Sequence, residues 1–148
     1  MTPREALDVL PIYARLAHFC RDLELGGYIM STDRFLAALR FDGETLRRTA
    51  SAVEVLKSGS RDWKRLLRDH GEAAVLAAHP KTRALRAVLR SGECWELSSL
   101  AIGGRELAAL GYSGPELGRE LRRLLDHVID YPADNRADIL CKLVERKV

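Results

Sequence analysis

Three cysteines in 148 residues, Cys20, Cys94 and Cys141, are odd in number, far apart and without a C-x-x-C spacing. That excludes a disulfide framework and a zinc site of the usual kind. The expectation is three reduced thiols filling apolar space. The four histidines, His18, His70, His79 and His127, are equally scattered. Long apolar runs are missing as well: charged residues interrupt every apolar stretch well short of the ~18 positions a membrane span needs. Met1-Thr2-Pro3-Arg4-Glu5 lacks the basic-then-apolar order of a secretory signal, so a cytoplasmic protein is expected. Strand signals are nearly absent, since no β-branched run alternates with polar residues and the single Asp42-Gly43 has helical flanks.

Catalytic signatures are missing too. The chain contains no G-x-x-x-x-G-K-[ST], G-x-G-x-x-G, H-E-x-x-H or G-x-S-x-G. Gly59-Ser60 followed by Asp62 is like the start of a nucleotidyl-transfer site, but such a site needs a neighbouring strand and a carboxylate pair to hold two magnesium ions. Asp22-Leu23-Glu24 has the carboxylate spacing, yet on a helix positions i and i+2 point about 200° apart. His18 and Asp22, one turn apart, have the spacing of a metal or acid-base couple, and a lone pair of this kind is usually structural.

What is present reads as helix from end to end. Leu, Val, Ile and Ala recur throughout, which excludes disorder. A chain of this length buries roughly two-thirds of its unfolded surface. Residues 4–25 form an apolar stretch broken by Pro11 and ended by Gly26-Gly27. Ser31 or Thr32 and then Asp42 are expected N-caps, and Leu46, Ala50 and Val53 a buried stripe ended by Ser58-Gly59. Ser60 is expected to cap residues 61–70, with two further short helices over 72–79 and 81–91. A connecting stretch from Glu93 to Gly104 carries Trp95, Leu97, Leu100 and Ile102. A helix over 104–110 and a long one from Pro115 to Asp130 follow, and Asn135 is expected to cap the last. The expected architecture is all-α: a bundle of short helices over 1–95, the body, followed by a small helical tail domain over 96–148.

Charge is distributed unevenly. The net charge is only +3, and arginine outnumbers lysine 19 to 5. Residues 1–60 balance eight basic against eight acidic, residues 61–90 carry eight against three, and residues 91–148 eight against ten. The middle segment alone has a basic field, which a polyanion would feel. Arg61, Lys64, Arg65 and Arg68 stand at i, i+3, i+4 and i+7, one face of a helix whose other face carries Trp63, Leu66 and Leu67. Arg83, Arg86 and Arg90 repeat the pattern. Gly111 to Gly118 joins two helices, and Arg119, Arg122 and Arg123 follow it, so glycines and a helix start offer an anion site there. A solvated face and a tight helix–helix turn are the plain readings of these features.

Three stretches give the chain a resemblance to a known family. They are Phe35-Leu36-Ala37-Ala38-Leu39-Arg40-Phe41-Asp42 with Glu44-Thr45-Leu46-Arg47-Arg48; Glu93 to Leu107, with Cys94, Leu97, Leu100, Ala101, Ile102, Gly103, Gly104, Arg105 and Leu107 in order; and Gly111 to Gly118 followed by Leu121, Leu124, Leu125, Val128, Pro132, Asn135, Ile139 and Leu140. Together they resemble the C-terminal body and tail regions of bacterial CCA-adding enzymes, the tRNA nucleotidyltransferases of the poly(A) polymerase type. The likeness runs from about residue 31 to the end, and its most specific part is the tail. It implies an all-helical module that holds the acceptor arm and elbow of tRNA while a separate head adds C, C and A with CTP, ATP and magnesium. No such head or nucleotide-selecting neck is in this sequence, so the family's catalytic and base-reading residues map onto no position, and no cofactor is expected here. Gly43 and Gly103 stand where the family usually has Asn, and His18 is followed by Phe19, where related body domains carry a His-Asp pair.

The first expectation is therefore a non-catalytic tRNA-binding module. Arg61, Lys64, Arg65 and Arg68, with Arg83, Arg86 and Arg90 beside them, would contact phosphate from the body, and Gly114, Arg119, Arg122 and Arg123 from the tail. These assignments rest on charge geometry. A second expectation is a helical protein-interaction or dimerisation module, marked by an exposed apolar patch in residues 1–30 and able to complement a head on another chain. A third is a phosphohydrolase of the His-Asp metal type.

Overall fold

A computed structural model describes residues 11–145. The fold is all-α, with nine α-helices and two short 3-10 turns and no strand among the described residues. In chain order the helices are α1 (Ile12–Leu25), α2 (Thr32–Ala38), α3 (Gly43–Ser58), α4 (Trp63–His70), α5 (Glu72–Ala78), α6 (Arg83–Ser91), α7 (Gly104–Ala109), α8 (Gly114–Asp130) and α9 (Ala137–Glu145). Among the described residues no helix is long and apolar enough to cross a membrane. Contacts divide the chain into two units, Met1–Leu85 and Arg86–Val148, and the division falls inside α6. The expected boundary at 95/96 follows the change of composition after Gly92, on the far side of that helix.

The first unit is built on small side chains. Ala14, Ala17 and Cys20 of α1, Ala52 and Val53 of α3 and Ala77 of α5 are all at most 4 % exposed and form one core with Leu36 of α2. Small residues let the backbones of α1, α3 and α5 approach closely, which is how helices this short bury enough surface to hold together. α3 is the central element and packs against α1, α2 and α5. Its ends are set by local chemistry. The Asp42 carboxylate accepts the Thr45 N–H at 2.9 Å, and Gly59 at φ +62° takes the left-handed turn that a side chain would oppose. Of the stripe expected in α3, Val53 is buried and Leu46 and Ala50 are half-buried; Thr49, Ala52 and Val55 complete the inner face.

Glu24 ties three of these helices together. One carboxylate oxygen accepts both the backbone N–H and the hydroxyl of Thr32, each at 2.7 Å, and the other accepts from Lys57 Nζ at 2.8 Å. The start of α2 is therefore satisfied by a side chain from the end of α1, and the Ser31 hydroxyl, expected as a cap, makes no capping bond. Burial alone would push the Glu24 pKa up; the bonds from Lys57 and Thr32 outweigh it and hold the carboxyl below the ordinary glutamate range.

The second unit has its own core of Cys94, Ile102, Leu107, Leu124, Leu125, Val128, Ile129, Leu140 and Val144. Each wholly buried leucine, such as Leu107, Leu124 and Leu140, contributes about 2 kcal/mol by leaving water. Asn135 fastens the long connecting stretch to this core: its Oδ1 accepts the Ala101 N–H at 2.8 Å, and its Nδ2 donates to the Ser99 carbonyl at 2.9 Å. It does not cap α9 as its sequence position suggested. That helix begins at Ala137, with the Leu140 N–H bonded to the Arg136 carbonyl. All three cysteines are free thiols, with Cys20 and Cys94 in the two cores.

Candidate nucleic-acid interface

The basic segment folds differently from the uniform stripe that its spacing predicts. Asp62, not Ser60, caps α4: its Oδ1 accepts the Arg65 N–H at 3.3 Å, while the Ser60 hydroxyl accepts the Asp62 N–H at 3.2 Å. The helix starts at Trp63, so Arg61 precedes it and is not a member of the helical face. Trp63, Leu66 and Leu67 are buried as their spacing required. Lys64, Arg65 and Arg68 are half-buried. Arg65 Nη1 donates to Asp62 at 2.8 Å, and Arg68 Nε donates to Asp69 at 2.9 Å. The Arg68 bond, against the opposing effect of burial, holds the Asp69 carboxyl below its ordinary range. Such part-exposed pairs are weak in water and yield to a stronger anion, but the charge that α4 presents is partly neutralised by its own carboxylates.

α6 presents the clearer face. Arg83, Arg86 and Arg90 are all exposed and, at i, i+3 and i+7 of one helix, point the same way. Arg90 Nε donates to the Arg86 carbonyl at 3.3 Å. Among the described residues neither Arg83 nor Arg90 has a carboxylate partner. Leu85 on the opposite side is wholly buried, which fixes the direction in which the arginines project.

In the second unit, Ser113 is the residue before α8, and Gly114 opens the helix at φ +55°. Any other residue there would be strained although the space is open. Arg119 and Arg122 are exposed on the first turns, without a carboxylate partner among the described residues. Arg123 departs from its expected role. Its guanidinium donates twice to Glu120, at 2.9 Å from Nε, and again to the Leu143 carbonyl at 3.5 Å. Glu120 is only 8 % exposed, and a carboxylate that deep in a core needs a charged partner. Arg123 is thus an internal counter-ion, and its i, i+3 spacing from Glu120 was the sequence signal for that. Arg105 of α7 is exposed and lies outside the expected set.

The remaining candidates are structural. His18 Nε2 lies 3.3 Å from the Ala77 carbonyl, and Asp22 holds Arg21 at 2.8 Å, so neither is directed into a joint site. His79 packs edge-on against Trp63, ring centroids 5.1 Å apart, and burial pushes its pKa down. His127 and Asp134 meet at 2.7 Å across the turn after α8. Among the described residues no group of three or more His, Cys, Asp or Glu side chains is placed to hold a metal ion. Comparison with protein-family models, curated proteins and solved structures finds no match to this chain.

Proposed function

We propose that this chain is a non-catalytic RNA-binding helical module that holds tRNA by shape and phosphate contacts, as the body and tail of a CCA-adding enzyme would, with nucleotide addition performed by a head domain outside it. The observation that carries the reading is the face of α6, where Arg83, Arg86 and Arg90 project together from a helix anchored by Leu85. Folded RNA is recognised largely through its backbone and shape, and a row of guanidinium groups on one helical face suits phosphate geometry. Arg119 and Arg122 supply a second basic patch on the tail, and Arg61, Lys64, Arg65 and Arg68 a third whose contribution is reduced by Asp62 and Asp69. Arg123 and Gly114 serve the fold. The resemblance in the tail motif supports tRNA as the particular RNA.

The test is tRNA binding measured across a salt series, for the wild type and for the triple variant Arg83→Glu/Arg86→Glu/Arg90→Glu. Each phosphate neutralised contributes roughly 0.7–0.9 to the slope of log affinity against log salt. Removing three contacts should flatten that slope by about 2 and lower affinity by at least tenfold. Affinity that is flat in salt, or equal for the two proteins, removes the proposal.

A further inference from the structure

α1 is apolar on two sides. One side, Ala14, Ala17 and Cys20, is the core of the first unit. The other carries Ile12, Leu16, Phe19 and Leu23, at spacings of four, three and four residues, the repeat of a helix–helix seam. Ile12 is 51 % and Phe19 54 % exposed; Leu16 and Leu23 are half-buried, and Leu16 lies where the stripe borders the core, packed in part against it. No other described element of this unit covers Ile12 and Phe19.

The charges beside this stripe indicate what covers it. Arg15 and Asp22, both exposed, are seven residues apart on the same flank, directly before Leu16 and Leu23. When two copies of such a helix pack antiparallel about a twofold axis, Leu16 of each layer meets Phe19 of the other, and Ile12 meets Leu23. In that register the residue before Leu16 faces the residue three after Phe19, so each Arg15 opposes the other copy's Asp22. The pairing occurs twice by symmetry, and the surface is complementary to itself, as an isologous interface must be. Asp22 already touches Arg21 at 2.8 Å, but its side chain is 68 % exposed and can accept a second guanidinium.

We infer that α1 is a homodimerisation helix, with a second copy of this chain packed antiparallel across Ile12, Leu16, Phe19 and Leu23 and Arg15–Asp22 pairs closing its edge. From Ile12 to Leu23 the seam covers 12 residues, about 18 Å of helix, so the dimer is a weak one. This inference is independent of RNA binding, since none of these residues is among the proposed phosphate contacts.

The experiment is sedimentation equilibrium of the full chain over a concentration series. Wild type should show a concentration-dependent dimer, and Phe19→Glu a monomer. Arg15→Glu and Asp22→Arg should each weaken the dimer about tenfold, and the double swap Arg15→Glu/Asp22→Arg should restore it, because the pairs re-form with their signs exchanged. A wild type that stays monomeric at every concentration overturns the inference. If that monomer also loses thermal stability on Phe19→Glu, the face belongs to an occupant within the same molecule. A dimer indifferent to Phe19→Glu lies elsewhere on the surface, and failure of the double swap to rescue either single change refutes the antiparallel register.

Discussion

Replacing Glu24 separates two functions that its carboxylate combines. Toward Thr32 it is the acceptor for a backbone N–H and a hydroxyl in a residue only 3 % exposed; toward Lys57 it is one half of an ion pair open to solvent. Buried donors left without partners cost about 1–3 kcal/mol. Glu24→Ala should therefore destabilise the first unit by about 2–3 kcal/mol, since Thr32 loses its acceptor at the start of α2. Glu24→Gln keeps an amide oxygen for Thr32 and should cost clearly less, and Lys57→Met, at an exposed position, least of all. Urea denaturation of the three variants gives the order directly. The pH dependence follows from the depressed carboxyl pKa. A group that titrates lower in the folded than in the unfolded state stabilises the fold above its unfolded pKa, and the contribution disappears as pH falls through the folded value. The gap between wild type and Glu24→Gln should hold at neutral pH and shrink on acidification below the ordinary glutamate range. If Lys57→Met destabilises as much as Glu24→Ala, or if the gap between wild type and Glu24→Gln is the same at about pH 7 and about pH 3, Glu24 does not act on Thr32 in the way described.

Two further outcomes follow from single side chains. Thr49 is wholly buried, and its hydroxyl has no hydrogen-bond partner among the described residues, so the nearly isosteric Thr49→Val should raise stability by about 1 kcal/mol; a higher melting temperature supports this, a lower one means the hydroxyl is satisfied in solution. Asn135→Ala removes both bonds of the clip to Ser99 and Ala101 and should cost the second unit about 1–2 kcal/mol, with faster amide exchange at Ala101; unchanged exchange there would show that the connecting stretch holds without it.

The helices themselves were legible in the sequence because their signals are local. Asp42, Gly59, Gly111 and Pro115 act within one turn of their own positions, and the apolar spacing of Trp63, Leu66 and Leu67 needs no knowledge of the partner helix. The errors arose where two local candidates competed or where a distant residue intervened. Ser60 and Asp62 are both good caps, and only the bond from the Arg65 N–H to Asp62 decides that Arg61 stays outside the helix. Ser31 lost its role to Glu24, eight residues before Thr32, and Asn135 was drawn to Ser99 and Ala101, more than thirty residues away. The basic face was half legible: spacing alone placed Arg83, Arg86 and Arg90 together, and the i, i+3 spacing of Arg123 from Glu120 pointed to a pair, but that Glu120 is buried and so holds Arg123 is decided only once the second core has formed. Sequence by itself determined which segments are helical and which sides of them are charged, because both follow from neighbours within a turn. Tertiary structure decided which of those charges and apolar stripes remain facing solvent, because exposure depends on what packs against the other side.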